Sequence, residues 1–286
     1  MDRPVAAGVG GVGGWQALAW AVEEAEQTGA PLVLLHVCTP GSPLDRMKGE
    51  PTTAEVELAD PALAHAVVNT RTRLGGQRVA LHVRSGDPSI HLVDASAGAD
   101  LLVIGAGSGG RTVRRVLRQA HCPVVVVRPS RPGRGAPLAG HVVVGVDGSP
   151  AARRAMEFAF THAAEHHFPL AAVHVSAENR DDYFYDETTL STHFATEPRA
   201  LELLADEVEP WALKYPVVAI RRAVLTGPVA EGLIRAGTGA RLLVIGDKRR
   251  GVVSRARTGD IPRTVTAEAP CPVASVPLGQ HEGEPL

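Results

Sequence analysis

The same ordered set of sequence blocks occurs twice in this chain of 286 residues. The blocks VAAGV, LVLLHV, DLLVIG and HCPVVVV of the first half return as VVVGV, LAAVHV, RLLVIG and PCPVASV. A recurring block order indicates two copies of one folding unit, and the length is sufficient for two separate cores. We therefore predict a first domain at 1–130, a proline- and glycine-rich linker at 131–140, a second domain at 141–279 and a tail at 280–286.

The apolar blocks are short and alternate with segments of helical periodicity. In the first half we predict strands at 5–9, 32–37, 79–83, 101–105 and 124–127, and helices that include 15–28, 54–74 (interrupted at Pro61) and 88–97. Strands of this apolar character need cover on both faces, which is typical of a parallel sheet between helices. The sequence thus predicts an α/β fold with five strands in each domain.

The composition excludes several classes of protein. The formal net charge of -2 provides no basic surplus, so we expect neither a nucleic acid nor an anionic membrane as partner. No apolar run approaches the roughly 20 residues of a membrane-spanning helix. The three cysteines are dispersed and lack a metal-binding spacing, which favours a reducing compartment. We expect a cytoplasmic protein.

A basic, glycine-containing segment follows the LLVIG block of the second half and ends at Asp260. Ligands of an open parallel sheet bind beyond the carboxyl ends of its strands, which here are Asp147 and the residues after Gly246. In the first half, Gly10 stands where Asp147 stands. The interval from Gly105 to Cys122 is also eight residues shorter than its counterpart. We therefore expect a ligand in the second half and a degenerate site in the first.

Four blocks of the second half point to one family. They are VVVGVDGSP at 142–150, TGPVAEGLIRAG at 226–237, LLVIG at 242–246 and APCPV at 269–273. With them, the chain resembles a tandem universal stress protein with two UspA-type domains. The resemblance implies a Rossmann-like, adenine nucleotide alpha hydrolase-like fold for each domain. It also implies a homodimer or intrachain pseudo-dimer through the last strands, and in many members bound ATP, with which Mg²⁺ would bind.

In ATP-binding members, the aspartate after the first strand contacts the nucleotide and a loop G-x2-G-x9-G-(S/T) wraps the phosphates. The cofactor-binding residues implied here are Val146, Asp147, Gly148, Ser149, Val175, Gly246, Lys248, Arg249, Gly259 and Asp260. Arg249 replaces the second glycine and Asp260 the closing serine or threonine. A carboxylate at Asp260 would repel phosphate, and it is also a typical helix N-cap; nearby cations such as Lys248 would offset the repulsion.

Two functions stay open. The first is a regulatory or protective role in stress response with ATP or another adenine nucleotide bound in the second domain. The alternative is an interaction or dimerisation module of the same fold that binds no nucleotide. We expect no enzyme, because no paired base and nucleophile is evident. The acidic and aromatic segment 181–186 is interpreted as a lid, a partner surface or a loop folded back on the body.

Other candidate residues are interpreted as structural. His162, His166 and His167 are expected to be exposed helical histidines and not metal ligands. His36 and His174 are expected to be core residues with satisfied hydrogen bonds. Cys122 and Cys271 precede prolines at the last strands and are expected to serve in packing.

Overall fold

The structure is a computed structural model that describes residues 3–11, 13–47, 49–107, 110–129, 135–176, 182–185, 198–248 and 260–278. The chain divides into two compact units, Met1–Arg128 and Pro129–Leu286. No helix in the described ranges is both long enough and apolar enough to cross a membrane.

The first unit is a parallel sheet covered by helices. Its elements are β1 Val5–Val9, α1 Gly14–Thr28, β2 Leu32–Cys38, a 3-10 turn at Pro43–Met47, α2 Thr53–Ala59, α3 Pro61–Leu74, a second 3-10 turn at Gly76–Arg78, β3 Val79–Ser85, α4 Pro88–Ser96, β4 Leu101–Gly105, α5 Arg111–Gln119 and β5 Val124–Val127. The strand order is β3-β2-β1-β4-β5. The winding reverses between β1 and β4, which places a crevice at their carboxyl ends.

The second unit repeats this order with one addition. Its elements are β6 Val142–Gly145, α6 Pro150–Glu165, β7 Leu170–Ser176, β8 Tyr183–Tyr185, α7 Pro198–Lys214, β9 Ile220–Thr226, α8 Val229–Ala236, β10 Leu242–Asp247, α9 Ile261–Glu268 and β11 Val273–Pro277. The strand order is β11-β10-β6-β7-β9-β8. All pairs are parallel except β8, which runs antiparallel to β9.

The α/β fold with parallel sheets is confirmed, and the added strand β8 was not predicted. Asp182 fixes its start, because Oδ1 accepts hydrogen bonds from the backbone N–H and the hydroxyl of Thr226 at 2.7 and 2.9 Å. Phe184 packs partly buried against the apolar core of the unit. The neighbouring residues 177–181 and 186–197 lie outside the described residues, so the interpretations of the acidic and aromatic segment stay open there.

The predicted interruption at Pro61 is confirmed. Helix α2 ends at Ala59 and α3 begins at Pro61, and the carboxylate of Asp60 accepts a hydrogen bond from the N–H of Leu63 at 3.0 Å. Proline is well placed in a first helical turn, where its missing N–H has no intrahelical partner to lose. One apolar stretch therefore forms two helices.

Candidate functional site

A cleft of 330 Å³ opens at the carboxyl ends of β6, β7 and β10 in the second unit. The first residues of α8 and α9 complete its walls. Of the site residues predicted from the sequence, the structure brings seven to this cleft: Val146, Asp147, Ser149, Val175, Gly246, Lys248 and Asp260. Arg249 and Gly259 lie outside the described residues. The crevice predicted from the topology is therefore a cavity large enough for a small organic ligand.

Asp147 stands at the mouth of the cleft with both carboxylate oxygens engaged. Oδ1 accepts a hydrogen bond from the N–H of Ser149 at 3.0 Å, and Oδ2 accepts one from the ammonium group of Lys248 at 2.7 Å. The first contact is the local turn that aspartates commonly form with the backbone two residues ahead. The second joins the segments after β6 and β10, and no sequence pattern predicted this pairing.

The pKa of Asp147 reflects two opposed effects. Burial acts to raise this pKa, but the hydrogen bonds from Lys248 and Ser149 outweigh it and hold the pKa below its ordinary value. The side chain is 52% exposed, so the carboxylate remains accessible to a ligand while ionised.

Ser149 is the N-cap of α6. Its hydroxyl oxygen accepts a hydrogen bond from the N–H of Ala152 at 3.2 Å. Gly148 precedes it with φ of 73°, a left-handed conformation that glycine adopts without a steric penalty. Gly148 shapes the turn between Asp147 and the helix but does not line the cleft.

Gly246 lines the cleft, and its lack of a side chain has a packing cause. A Cβ atom at this position would overlap the carbonyl group of Ala151 and lie 2.9 Å from the nitrogen of Ala152. Gly105 of the first unit is similar, because a Cβ there would overlap the Gly13 carbonyl. In each unit, this glycine lets the start of the first helix pack closely against the strand that ends in the LLVIG block. This observation explains the glycine in each LLVIG block without a ligand.

Asp260 occupies the N-cap position of α9, but its side chain makes no capping hydrogen bond. The predicted cap contact is therefore wrong, although the position is right. With φ of -96° and ψ of 74°, the backbone of Asp260 departs from the extended conformation in which an N-cap side chain reaches forward. The residue lines the cleft instead.

Two polar residues of the described lining were not among the predicted site residues. Asp247 ends β10, is 9% exposed, and lines the cleft beside Gly246. Its position directly after the LLVIG block, where the first half has Ala106, was the available signal. His174 also lines the cleft, and its Nδ1 donates a hydrogen bond to the carbonyl of Val146 at 2.8 Å, so its prediction as a satisfied histidine is confirmed.

The charges around the cleft are unequal. The described lining contains three aspartates, Asp147, Asp247 and Asp260, and one cation, Lys248. The lining also contains apolar side chains that include Val146, Val175, Leu233 and Ile261. The cleft thus combines apolar side chains with several hydrogen-bond acceptors.

The first unit has a cleft of 290 Å³ in the equivalent place. Gly10 has φ of 90°, and a Cβ added to it would lie 2.8 Å from the ring of His36. The Nδ1 atom of His36 is buried and lacks a hydrogen bond of ordinary geometry; its contact with the backbone of Val9 is weaker than the hydrogen bond of His174 to Val146. Burial lowers the pKa of His36. With Gly10 in place of the aspartate, the described lining of this cleft contains no carboxylate.

The helical histidines differ from their predicted exposure. His162 is buried, and its ring lies 6.0 Å from that of Phe158 and 4.1 Å from that of His166. His167 is exposed, as predicted. The ring stacking gives His162 a packing role inside the second unit. Cys122 and Cys271 are buried and form no disulfide, in agreement with a packing role.

Comparison with known proteins gives a consistent family assignment. The model of the universal stress protein family matches the chain twice, at residues 1–128 and 139–277. Universal stress protein Rv2623 of Mycobacterium tuberculosis is 30% identical over 279 residues, covering 90% of each chain. A universal stress protein of Mycolicibacterium smegmatis is 30% identical over 279 residues, covering 91% of this chain and 92% of that protein.

A solved structure has the same fold over nearly the full length. The universal stress protein from Archaeoglobus fulgidus DSM 4304 superposes with a TM-score of 0.64 and covers 98% of both chains. Its sequence identity is 16%, so this likeness shows the fold alone.

Proposed function

The chain belongs to the universal stress protein family, and on this premise we propose that its second unit binds an adenine nucleotide in the cleft beside Asp147. The bound nucleotide serves a regulatory or protective role in stress response and is not turned over. None of the three cysteines forms a disulfide, which supports a reducing, cytoplasmic setting for this role.

The observation that carries the proposal is that the lining of the cleft combines apolar side chains with carboxylate acceptors. Val146, Val175, Leu233 and Ile261 provide a surface against which a flat base packs. The carboxylates of Asp147 and Asp247 are acceptors for an exocyclic amine or for sugar hydroxyls. Both carboxylates suit the neutral nucleoside part of such a ligand.

The phosphates need a separate argument, because carboxylates oppose them. Asp260 faces the cleft without a capping bond, so its charge is not offset by the N–H groups of α9. Lys248 is the cation of the described lining, and it already neutralises Asp147. The proposal therefore assigns the nucleoside to the described part of the cleft. Compensation of the phosphate charge falls to Mg²⁺ carried by ATP.

The second candidate function is an interaction module that binds no nucleotide. The excess of carboxylates over cations in the described lining favours it, because a triphosphate would be repelled there. This module would use the same fold as a surface for another protein. The two candidates differ in whether an adenine ligand binds at all.

Isothermal titration calorimetry of the full chain with adenosine, AMP, and ATP with and without Mg²⁺ separates the candidates. We expect Asp147→Ala to weaken adenosine binding about tenfold, because a hydrogen bond to a charged acceptor is lost. The matched control is Asp60→Ala, which also removes a carboxylate that accepts a backbone N–H, but in the first unit. Absence of heat with every adenine ligand at millimolar concentration would contradict the nucleotide proposal and favour the interaction module.

Asp260→Ser tests the electrostatic part of the proposal. We expect it to tighten ATP binding about tenfold, since a charge facing the phosphates is removed. Adenosine carries no phosphate, so its affinity should not change. Equal gains for adenosine and ATP would show that Asp260 acts on the shape of the cleft and not on the phosphates.

A further inference from the structure

Helix α5 of the first unit carries four arginines on one face. Arg111, Arg114, Arg115 and Arg118 are separated by three, one and three positions, which places them on neighbouring turns of the same side. All four are exposed, whereas Val116 and Leu117 of the same helix are buried in the core. At 1.5 Å per residue, the arginine row is about 10 Å long.

These arginines line a cavity of 310 Å³ between the start of α4 and α5. The remaining lining residues are Asp87, Ser89 and Gln119, so every residue of this arginine cleft is polar or charged. It therefore offers no wall on which a base, an acyl chain or an aromatic side chain would pack. Its volume suits a small ligand and not a polymer.

The cationic charge of the arginine cleft is largely uncompensated. Four arginines face one carboxylate, that of Asp87, whose Oδ2 lies 3.5 Å from the guanidinium of Arg115. The other oxygen of Asp87 accepts hydrogen bonds from the N–H and the hydroxyl of Ser89 at 2.8 and 2.7 Å. Within the described ranges, Arg111, Arg114 and Arg118 form no ion pair. Guanidinium groups crowded in this way repel each other until an anion is bound.

We propose that the arginine cleft binds the phosphate groups of a small polyphosphate ligand. The guanidinium fork matches phosphate oxygens in pairs of hydrogen bonds, and a row about 10 Å long admits several linked phosphates. Because the lining is entirely polar, it favours the phosphate groups and not an attached apolar group. The net charge of -2 for the whole chain disfavours a long polyanion, which would meet repulsion outside the cleft.

The arginine cleft is separate from the cleft beside Asp147, because all of its lining residues belong to the first unit. Arg111 also lines the cleft of the first unit next to Gly110, so a bound polyphosphate would lie at the mouth of that second cavity. The proposed nucleotide site and the arginine cleft can therefore fail or succeed independently.

Calorimetric titration of the full chain with inorganic tripolyphosphate tests this inference. We expect binding that weakens with added salt and that falls about tenfold or more in Arg114→Gln/Arg118→Gln, since charge-assisted hydrogen bonds are lost. The matched control is Arg46→Gln/Arg154→Gln, which removes two exposed arginines outside the cleft. Circular dichroism checks that both variants fold, and Arg114→Lys/Arg118→Lys keeps the charge while removing the fork.

Asp87→Asn provides a change in the opposite direction. Asparagine still caps α4, because its side-chain oxygen accepts the N–H of Ser89, but it no longer repels an anion. We expect tighter binding of tripolyphosphate in this variant.

Three results would overturn the inference. The first is that the unchanged chain does not bind tripolyphosphate. The second is that the two double-glutamine variants bind tripolyphosphate with equal affinity. The third is that Asp147→Ala abolishes tripolyphosphate binding, which would place the anion in the second unit. Equal binding of a hexaglutamate peptide would likewise reject phosphate as the recognised group. If tripolyphosphate binds but adenosine does not, the proposed nucleotide site is rejected and the arginine cleft is not.

Discussion

The ammonium nitrogen of Lys248 lies 2.7 Å from Oδ2 of Asp147 and ties the end of β10 to the turn after β6. The pair spans the mouth of the second unit's cleft, since both residues line it. Any ligand that contacts Asp147 meets a carboxylate already neutralised by a cation. The pair thus connects two segments of the chain and also reduces the negative charge that a ligand meets at Asp147.

The first prediction is a measurable coupling between these side chains. Both are partly exposed, at 30% for Lys248 and 52% for Asp147, so water screens their attraction. We expect a coupling free energy of about 0.5 kcal/mol from a double-mutant cycle with Asp147→Asn and Lys248→Met. Urea unfolding near neutral pH measures it, and high salt should reduce it.

The coupling should also depend on pH. The pKa of Asp147 in the folded chain lies below its ordinary value of 3.8. Because the folded-state pKa is the lower one, the stabilisation is present above the unfolded-state value and is lost as the pH falls through the folded-state value. We expect the coupling to disappear at a pH below the folded-state pKa of Asp147. A coupling that persisted at that pH would show that charge is not its source.

The second prediction concerns Gly246. A Cβ there overlaps the Ala151 carbonyl, so we expect Gly246→Ala to lower the free energy of unfolding by about 1–3 kcal/mol. Gly76→Ala is the matched control, because its Cβ would meet nothing within 4 Å. It should change stability by less than about 1 kcal/mol, in the stabilising direction. A neutral Gly246→Ala, measured by urea unfolding, would contradict the packing explanation.

The third prediction compares two helix starts. Ser149 caps α6 through the N–H of Ala152, and Ser149→Ala should cost about 1 kcal/mol. Asp260 makes no capping bond, so Asp260→Ala should cost less than about 0.5 kcal/mol. The same urea unfolding experiment tests both changes. A larger loss at Asp260 than at Ser149 would mean that its carboxylate caps α9 in solution.

The fourth prediction concerns Cys271, which is fully buried. Burial raises the pKa of its thiol from 9.0 to about 12, so thiolate is scarce at neutral pH. We expect no alkylation of Cys271 by iodoacetamide in the native chain and full alkylation in urea, read by mass spectrometry. The raised pKa also means that its contribution to stability is lost as the pH rises from the unfolded value towards 12. Rapid native labelling would indicate that the last strand opens.

Much of the fold could be predicted because the sequence patterns that specify it are short and local, or occur in both halves of the chain. The apolar blocks correspond to buried strands, and Pro61 marks a helix start that proline sterics dictate. Strand β8 was not predictable in the same way. Its three residues are too few to show an alternation of apolar and polar side chains. Its position depends on the hydrogen bond between Asp182 and Thr226, which are 44 positions apart in the sequence.

The site was predictable in position more than in chemistry. Topology placed the cleft at Asp147 and Gly246, and a cleft is found there. The direction of a side chain is decided by backbone angles that residue type does not fix. Asp260 fits an N-cap by type, yet its side chain makes no capping hydrogen bond. Asp247 was missed because the motif contains no carboxylate at that position.

The ring of His36 beside Gly10 restricts how the two halves can be made alike. Installing an aspartate at Gly10, to copy Asp147, would set a Cβ 2.8 Å from that imidazole and impose a side chain on a φ of 90°. A design that transplants the second site into the first therefore has to replace the β2 histidine and rebuild the turn in the same step. Introducing the aspartate before the other two changes would pass through a strained intermediate, so steric overlap opposes a stepwise conversion of the first site into the second.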